Sequence, residues 1–345
     1  MIYTSIKRVR NKEERKRIIE RLLVLRKQLD EEIPEKTAAS SLILATWNIR
    51  EFGSKMRTLE DYFYIAEIIS RFDLIAIQEV LGNKKALEKL MPILGRNWSY
   101  IATDATEGTA GGSECMAFLY DTNKVTFKNV AGEIVLPKNK LLNGLQFART
   151  PFSVMFQVGW FKFYLTTVHI IFGKSTKVNP ERLAEIKCIA EFLTKRQKKE
   201  KTNYVLLGDF NVPKVDDDYM KALENGGFYI PNAIKKHPTD LGGTKHYDQI
   251  AFNLKLTKTM TLFKEKIQKA GAFNFAKSVH KPDDWRIYMS DFDKKYVEGK
   301  TDKEIKKYYL KYRTFRMSDH LPLWVELNVD FSEQYLEGLK ESIKE

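Results

Sequence analysis

The sequence predicts an α+β fold: two packed mixed sheets flanked by helices, a four-layer α/β/β/α sandwich. Three observations lead there. Many short apolar runs show β-branched enrichment or two-residue periodicity, as strands do. A few longer segments carry helical spacing, enough to cover sheets but not to alternate with every strand. No internal repeat of roughly 20–50 residues is evident.

Residues 11–30 read as an amphipathic helix. Ile18, Leu22, Leu25 and Leu29 recur at i, i+4, i+7 and i+11 among charged neighbours. Pro34 stops this helix, and EKTAASS links it to the rest, so residues 1–40 form an N-terminal helix and linker. The helix is expected to pack on its own domain; docking a protein partner is its alternative use. LILATWN (42–48) then reads as a strand, 58–71 as a helix, 73–79 as a strand and 83–94 as a helix. A β-rich middle follows in CMAFLYD (115–121), KVTFKNV (124–130), PFSVMFQVGW (151–160) and FKFYLTTVHI (161–170). Asn179 as cap and Pro180 at the first helical position open the next helix. Strand 204–209 precedes a polar helix near 216–225, whose acidic start at Asp216–Asp218 complements the helix dipole. Strands 248–253 and 323–329 complete the predicted domain, which spans 41–330. Between them, about 254–316 reads as a basic, aromatic, helical insertion, and 331–345 as a helical tail.

The chain has 345 residues, 43% of them hydrophobic, enough for one large core. Lysine and arginine number 58 against 45 acids, a net charge of +13, which favours a phosphate-rich partner such as nucleic acid or an anionic membrane. Cys115 and Cys188 have neither metal nor redox spacing. The first residues lack an apolar signal region, and no run of 18 apolar residues occurs, so a cytoplasmic protein is expected.

The chemistry is carried by polar residues at strand ends. VLLGDFN (205–211) delivers Asp209 and Asn211, LILATWN delivers Asn48, LIAIQE (74–79) delivers Glu79, and YLTTVHI (164–170) delivers His169. HYDQIAF adds Asp248, and RMSDHLPLWVEL adds Asp319 and His320. Carboxylates and amide carbonyls are hard oxygen ligands that suit Mg²⁺, with Mn²⁺ or Ca²⁺ as alternatives. Two histidines with carboxylates elsewhere in the chain suit proton transfer. Together these groups are what metal-assisted phosphodiester hydrolysis requires.

In this order, TWNIREFG, IQEV, GSECMAFLYD, RTPF, TTVHI, GDFN, YDQIAF and SDHLPL resemble the endonuclease/exonuclease/phosphatase superfamily, the deoxyribonuclease I-like fold. The resemblance covers about 41–330. It implies that Asn48 and Glu79 hold the metal, with Asp319 near the same region. It further implies that Asp209 orients or deprotonates the attacking water and that Asn211 donates to a phosphate oxygen. By the same resemblance His320 pairs with Asp248 and His169 with Glu114, and Arg149 contacts phosphate. Two positions depart from the pattern. Leu81 stands where relatives carry an arginine that enters the DNA minor groove, and Gly112 where an aromatic DNA contact can occur. His169 separates the chain from the abasic-site repair branch, which resembles it but has tyrosine there.

GKST (173–176) is not a phosphate-binding loop, because Val168 occupies the position its first glycine needs. His237, His246 and His280 show no metal-ligand spacing, although His246 lies two residues from Asp248. The expected function is a Mg²⁺-dependent DNA endonuclease with little sequence preference. A phosphoesterase of lipid head groups, of sphingomyelinase or phosphoinositide phosphatase type, is the alternative, and a binding module with a decayed site the third. The intact acids and both histidines count against decay.

Overall fold

The longest strand, β1 (Ser41–Phe52), explains the layering. Its even residues Leu42 and Leu44 join the core between the sheets, while Ile43, Ala45, Trp47 and Ile49 join a second core on the outer face. A strand buried on both faces reads as a continuous apolar run, and LILATW is one. The computed structural model describes residues 1–105, 113–138, 142, 144–173, 178–254 and 267–343.

The remaining strands are β2 (Leu74–Leu81), β3 (Trp98–Ala102), β4 (Glu114–Asp121), β5 (Thr126–Glu133), β6 (Phe152–Val158), β7 (Phe161–His169), β8 (Asn203–Asp209), β9 (Asp248–Asn253), β10 (Ile267–Ala272) and β11 (Leu323–Asn328). They form a six-stranded sheet in the order β10-β11-β1-β2-β4-β3 and a five-stranded sheet in the order β5-β6-β7-β8-β9. Both are mixed: β1 runs parallel to β2 and β7 to β8, and the other pairs are antiparallel. The outer face of the larger sheet is covered by α1 (Lys12–Glu32), α2 (Leu59–Ile69) and α3 (Lys85–Leu94). The smaller sheet is covered by α4 (Pro180–Glu200) and α5 (Asp218–Asn225). Four layers result, as the sequence predicts.

Ile18, Leu22, Leu25 and Leu29 of α1 are all buried in the outer core, so its predicted apolar stripe is spent on its own domain. Arg17 and Arg26 fix it to α2 through Glu60 and Glu67, at 2.8 and 2.9 Å. After the short α6 (Asn232–Lys235), the segment predicted as a purely helical insertion differs from expectation. Residues 267–272 form β10, which pairs with β11, and residues 255–266 lie outside the described set. IQKAGA has two small residues and a glycine packed beneath Trp324, so an edge strand left no apolar alternation to read. The helical part begins later, with α7 (Trp285–Tyr288) and α8 (Asp302–Arg316). These carry a small core of Trp285, Tyr288, Phe292, Ile305, Tyr309 and Tyr312. The tail holds α9 (Ser332–Ser342). No described helix is long and apolar enough to cross a membrane.

Candidate active site

The polar strand ends meet at one edge of the sandwich because the sheet register brings them there. His169, Asp209 and Asp248 face each other across β7, β8 and β9, and Glu114 pairs with Leu81 across β4 and β2. Gly208 makes the first of these alignments possible. Its φ is +132°, and a Cβ there would lie 2.1 Å from the Val168 carbonyl oxygen. Two irregularities aim the residues of the larger sheet. The β1–β2 register shifts between Asn48 and Phe52, and the β2–β4 register between Ile77 and Val80. Bulges re-aim side chains, and Glu79 (φ 59°) and Asn211 (φ 54°) adopt the left-handed backbone that non-glycine residues avoid. Each such residue costs about 1–3 kcal/mol, a strain that recurs at functional sites.

Three side-chain nitrogens converge on one carboxylate oxygen. Asp209 Oδ2 accepts from Asn48 Nδ2 at 3.0 Å and lies 3.7 Å from His169 Nε2 and 3.8 Å from His320 Nε2. Each imidazole is oriented from behind: His169 Nδ1 lies 3.0 Å from Glu114 Oε2, and His320 Nδ1 lies 2.8 Å from Asp248 Oδ2. Both pairings implied by the resemblance are therefore formed. Arg149 shares Glu114 with His169, at 2.8 and 3.3 Å. Asp209 Oδ1 accepts from the Asn211 backbone at 2.8 Å, while Asn211 Nδ2 donates to the Ile170 carbonyl. Asp319 makes none of these hydrogen bonds: it is half-exposed and pairs with Arg50 at 3.3 Å, though its charge reaches His320.

Electrostatics separates the two imidazole–carboxylate pairs. Burial alone would push His320 down, but the charges of Asp248 and then Asp209 outweigh it and raise the imidazole to about 10. His320 is thus a cation at neutral pH. Burial pushes Asp248 up, and the His320 charge draws it partly back. Burial likewise pushes Glu114 up, but bonds from His169 and Arg149 hold it below the usual carboxylate range.

A cation has a place beside these groups. Asn48 Oδ1 is buried and has no partner, and Asn48 Nδ2 donates to Glu79 Oε1 at 2.9 Å. Glu79 Oε2 is held by the Glu51 backbone N–H at 2.9 Å. An orphaned amide oxygen next to a carboxylate suits a hard divalent ion, so Asn48 and Glu79 fit the metal role. Asp209, Asp248 and His320 also offer ligand atoms within 4.8 Å of one another. His320 Nδ1 is already engaged by Asp248 Oδ2 at 2.8 Å, an arrangement that also suits proton transfer.

Several residues that build the site left no motif. The Ser318 hydroxyl donates to the Asn48 carbonyl at 2.7 Å and accepts from the Arg50 and His320 backbone N–H groups. Arg57 is buried, and its guanidinium donates to the Arg50, Glu51 and Met317 carbonyls, joining the end of β1 to the turn before His320. On α4, Glu185 accepts from the backbones of Ala148 and Ile171, next to Arg149 and just beyond His169. One turn away, Arg182 donates to the Ile171 and Asn211 carbonyls. The only sequence signal for this pair is an Arg and a Glu three apart on a helix face. Of the other histidines, His280 is buried 2.8 Å from Asp61, outside the candidate site. His237 and His246 are both pushed down by burial.

Comparison with known proteins places the fold and the family. A curated deoxyribonuclease of Thioalkalivibrio sp. (strain K90mix) is 31% identical over 193 residues, which is 54% of this chain and 51% of that protein. The chain thus spans about half the length of the curated relative it matches. An endonuclease/exonuclease/phosphatase family protein of Bacteroides thetaiotaomicron superposes with a TM-score of 0.56 at 17% identity, covering 85% of this chain and 99% of that one. A mannosyl-6-phosphatase of Bacteroides thetaiotaomicron VPI-5482 gives 0.53 at 17% identity, covering 83% and 99%. These likenesses are of fold. The model of the Endonuclease/Exonuclease/phosphatase family matches residues 45–287, and with the paired strand-end residues inside and beyond that span, the chain belongs to this family, whose members hydrolyse phosphoester bonds.

Proposed function

We propose that the chain is a divalent-metal-dependent phosphodiesterase that cuts DNA endonucleolytically with little sequence preference. The observation that carries the hydrolytic part is the convergence of Asn48 and both imidazoles on the Asp209 oxygen. Donors placed around one anionic oxygen are preorganised for the oxygens of a phosphate in attack. Asp209 orients the water and takes its proton. His320, a cation at neutral pH, gives a proton to the leaving oxygen, with Asp248 fixing its tautomer. His169, held by Glu114, donates to a non-bridging oxygen, and Arg149 and Asn211 add phosphate contacts. Mg²⁺ bound at Asn48 and Glu79, with Asp319 close by and Mn²⁺ or Ca²⁺ as substitutes, would offset phosphate charge.

DNA as substrate is supported by the surplus of 13 positive charges and by the related deoxyribonuclease. Little sequence preference follows from Leu81, an apolar side chain where a groove-reading arginine would stand, which leaves positioning to phosphate contacts. Purified protein incubated with supercoiled plasmid, RNA, and choline or inositol phospholipid tests the reading. Open-circular product appearing before linear in Mg²⁺, and stopped by EDTA, is expected. Intact plasmid with hydrolysed phospholipid would replace it with the lipid reading.

A further inference from the structure

An aromatic side chain at the rim of the site has no role in the hydrolytic set. Phe172 lies three residues beyond His169 and is 60% exposed. Lone exposed apolar residues are common and by themselves signify nothing. Phe172 differs in its support. The Arg182 guanidinium lies 5.1 Å from the Phe172 ring centroid and 4.9 Å from that of Tyr219. Arg182 is itself buried and donates to the Asn211 carbonyl at 2.7 Å and the Ile171 carbonyl at 3.1 Å. The neighbouring Ile171 N–H is bound to Glu185. The ring is therefore packed on a buried cation that also binds the Asn211 carbonyl, with much of its surface left to solvent three residues after His169.

We infer that Phe172 is a stacking platform for the nucleobase adjoining the scissile phosphate. A flat ring beside a phosphate site suits a nucleotide, whose base lies within a sugar's length of its phosphate. An aliphatic head group has no flat face to lay on it, and a sugar ring offers only a puckered C–H face in place of a planar π-system. Base–aromatic stacking tolerates any base, in keeping with little sequence preference. It also requires the base to leave its own stack, so the platform favours single-stranded or locally opened DNA over relaxed duplex. This inference rests on the nuclease reading and narrows its substrate class.

The test compares an oligo(dT) with an oligonucleotide of equal length built from abasic tetrahydrofuran units, which keeps the phosphodiesters and lacks the bases. Wild-type protein should prefer the base-bearing strand. Phe172→Ala should lose ~5–100-fold in kcat/KM on oligo(dT), so that this preference collapses towards one, and Phe172→Trp should restore it. Thermal unfolding of Phe172→Ala should match wild type, because so exposed a ring contributes little packing. An Ala variant that keeps the wild-type preference, or a wild type that cuts both strands equally, overturns the platform while leaving the nuclease reading intact. A wild type that cuts neither strand nor plasmid overturns both.

Discussion

Replacing Asp248 by Asn isolates the electrostatics of the His320 pair without emptying space. Asn keeps an oxygen where Oδ2 accepts from His320 Nδ1 at 2.8 Å, but removes the charge that holds the imidazole at about 10. Raising a histidine from 6.5 to about 10 corresponds to about 5 kcal/mol of gross stabilisation of the charged form. Burying Asp248 completely offsets part of this, so the net loss on substitution should be about 2–3 kcal/mol, as for hydrogen bonds to charged groups. The sign of the pH dependence is fixed. A folded-state pKa raised above the unfolded value gives stability that is fully present below about 6.5 and lost as pH rises through about 10. The loss runs at up to ~1.4 kcal/mol per pH unit. Urea denaturation at pH 6, 8 and 10 should therefore show wild type losing stability over this window and Asp248→Asn losing less. NMR should find the His320 imidazole titrating well below its wild-type position. Parallel pH dependence of stability in the two proteins would refute the pairing as drawn.

Glu79→Gln should leave the unfolding midpoint near wild type, lower Mg²⁺ affinity by about tenfold or more in calorimetry, and abolish hydrolysis; unchanged ion binding would remove Glu79 from the metal site. Gly208→Ala should cost about 3 kcal/mol or more, because the new Cβ meets the Val168 carbonyl and the backbone is strained, and a thermal melt like wild type would show that β7 and β8 are not so closely apposed. Arg57→Met should lower kcat by roughly 10²-fold with KM little changed, since it unties the Asn48 side of the site from the His320 side; Arg57→Lys should rescue only part, and a KM effect alone would point to substrate contact instead.

The candidate site was legible in the sequence because its polar residues adjoin the ends of apolar runs, where a polar side chain has no packing purpose. Asn48, Asp209 and the two histidines are of this kind, and the fold brings them together. The edge strands β3 and β10 were not legible. WSYIA is only half-buried, and IQKAGA lacks apolar alternation, so neither carries the periodic signal of a central strand. Arg57, Arg182 and Glu185 were missed for another reason. They act on backbone carbonyl and amide groups of distant segments, and such partners impose no residue type and no spacing. Asp319 lies beside His320 in sequence, and its carboxylate pairs with Arg50, two residues beyond Asn48.

The helical excursion before the last strand cannot be treated as a detachable module. Arg316, wholly buried at the end of α8, binds Asp61 and Thr58 at the start of α2, and His280 approaches Asp61 from the same excursion. Trimming residues 273–316 to make a minimal domain would strand the Asp61 carboxylate in the core without Arg316 and His280. It would also remove the support for the turn carrying His320, which follows α8 after only three residues. Engineering or natural drift in this segment is therefore coupled to the chemistry: a swapped excursion must re-supply the arginine, the histidine and the angle at which the chain re-enters the site.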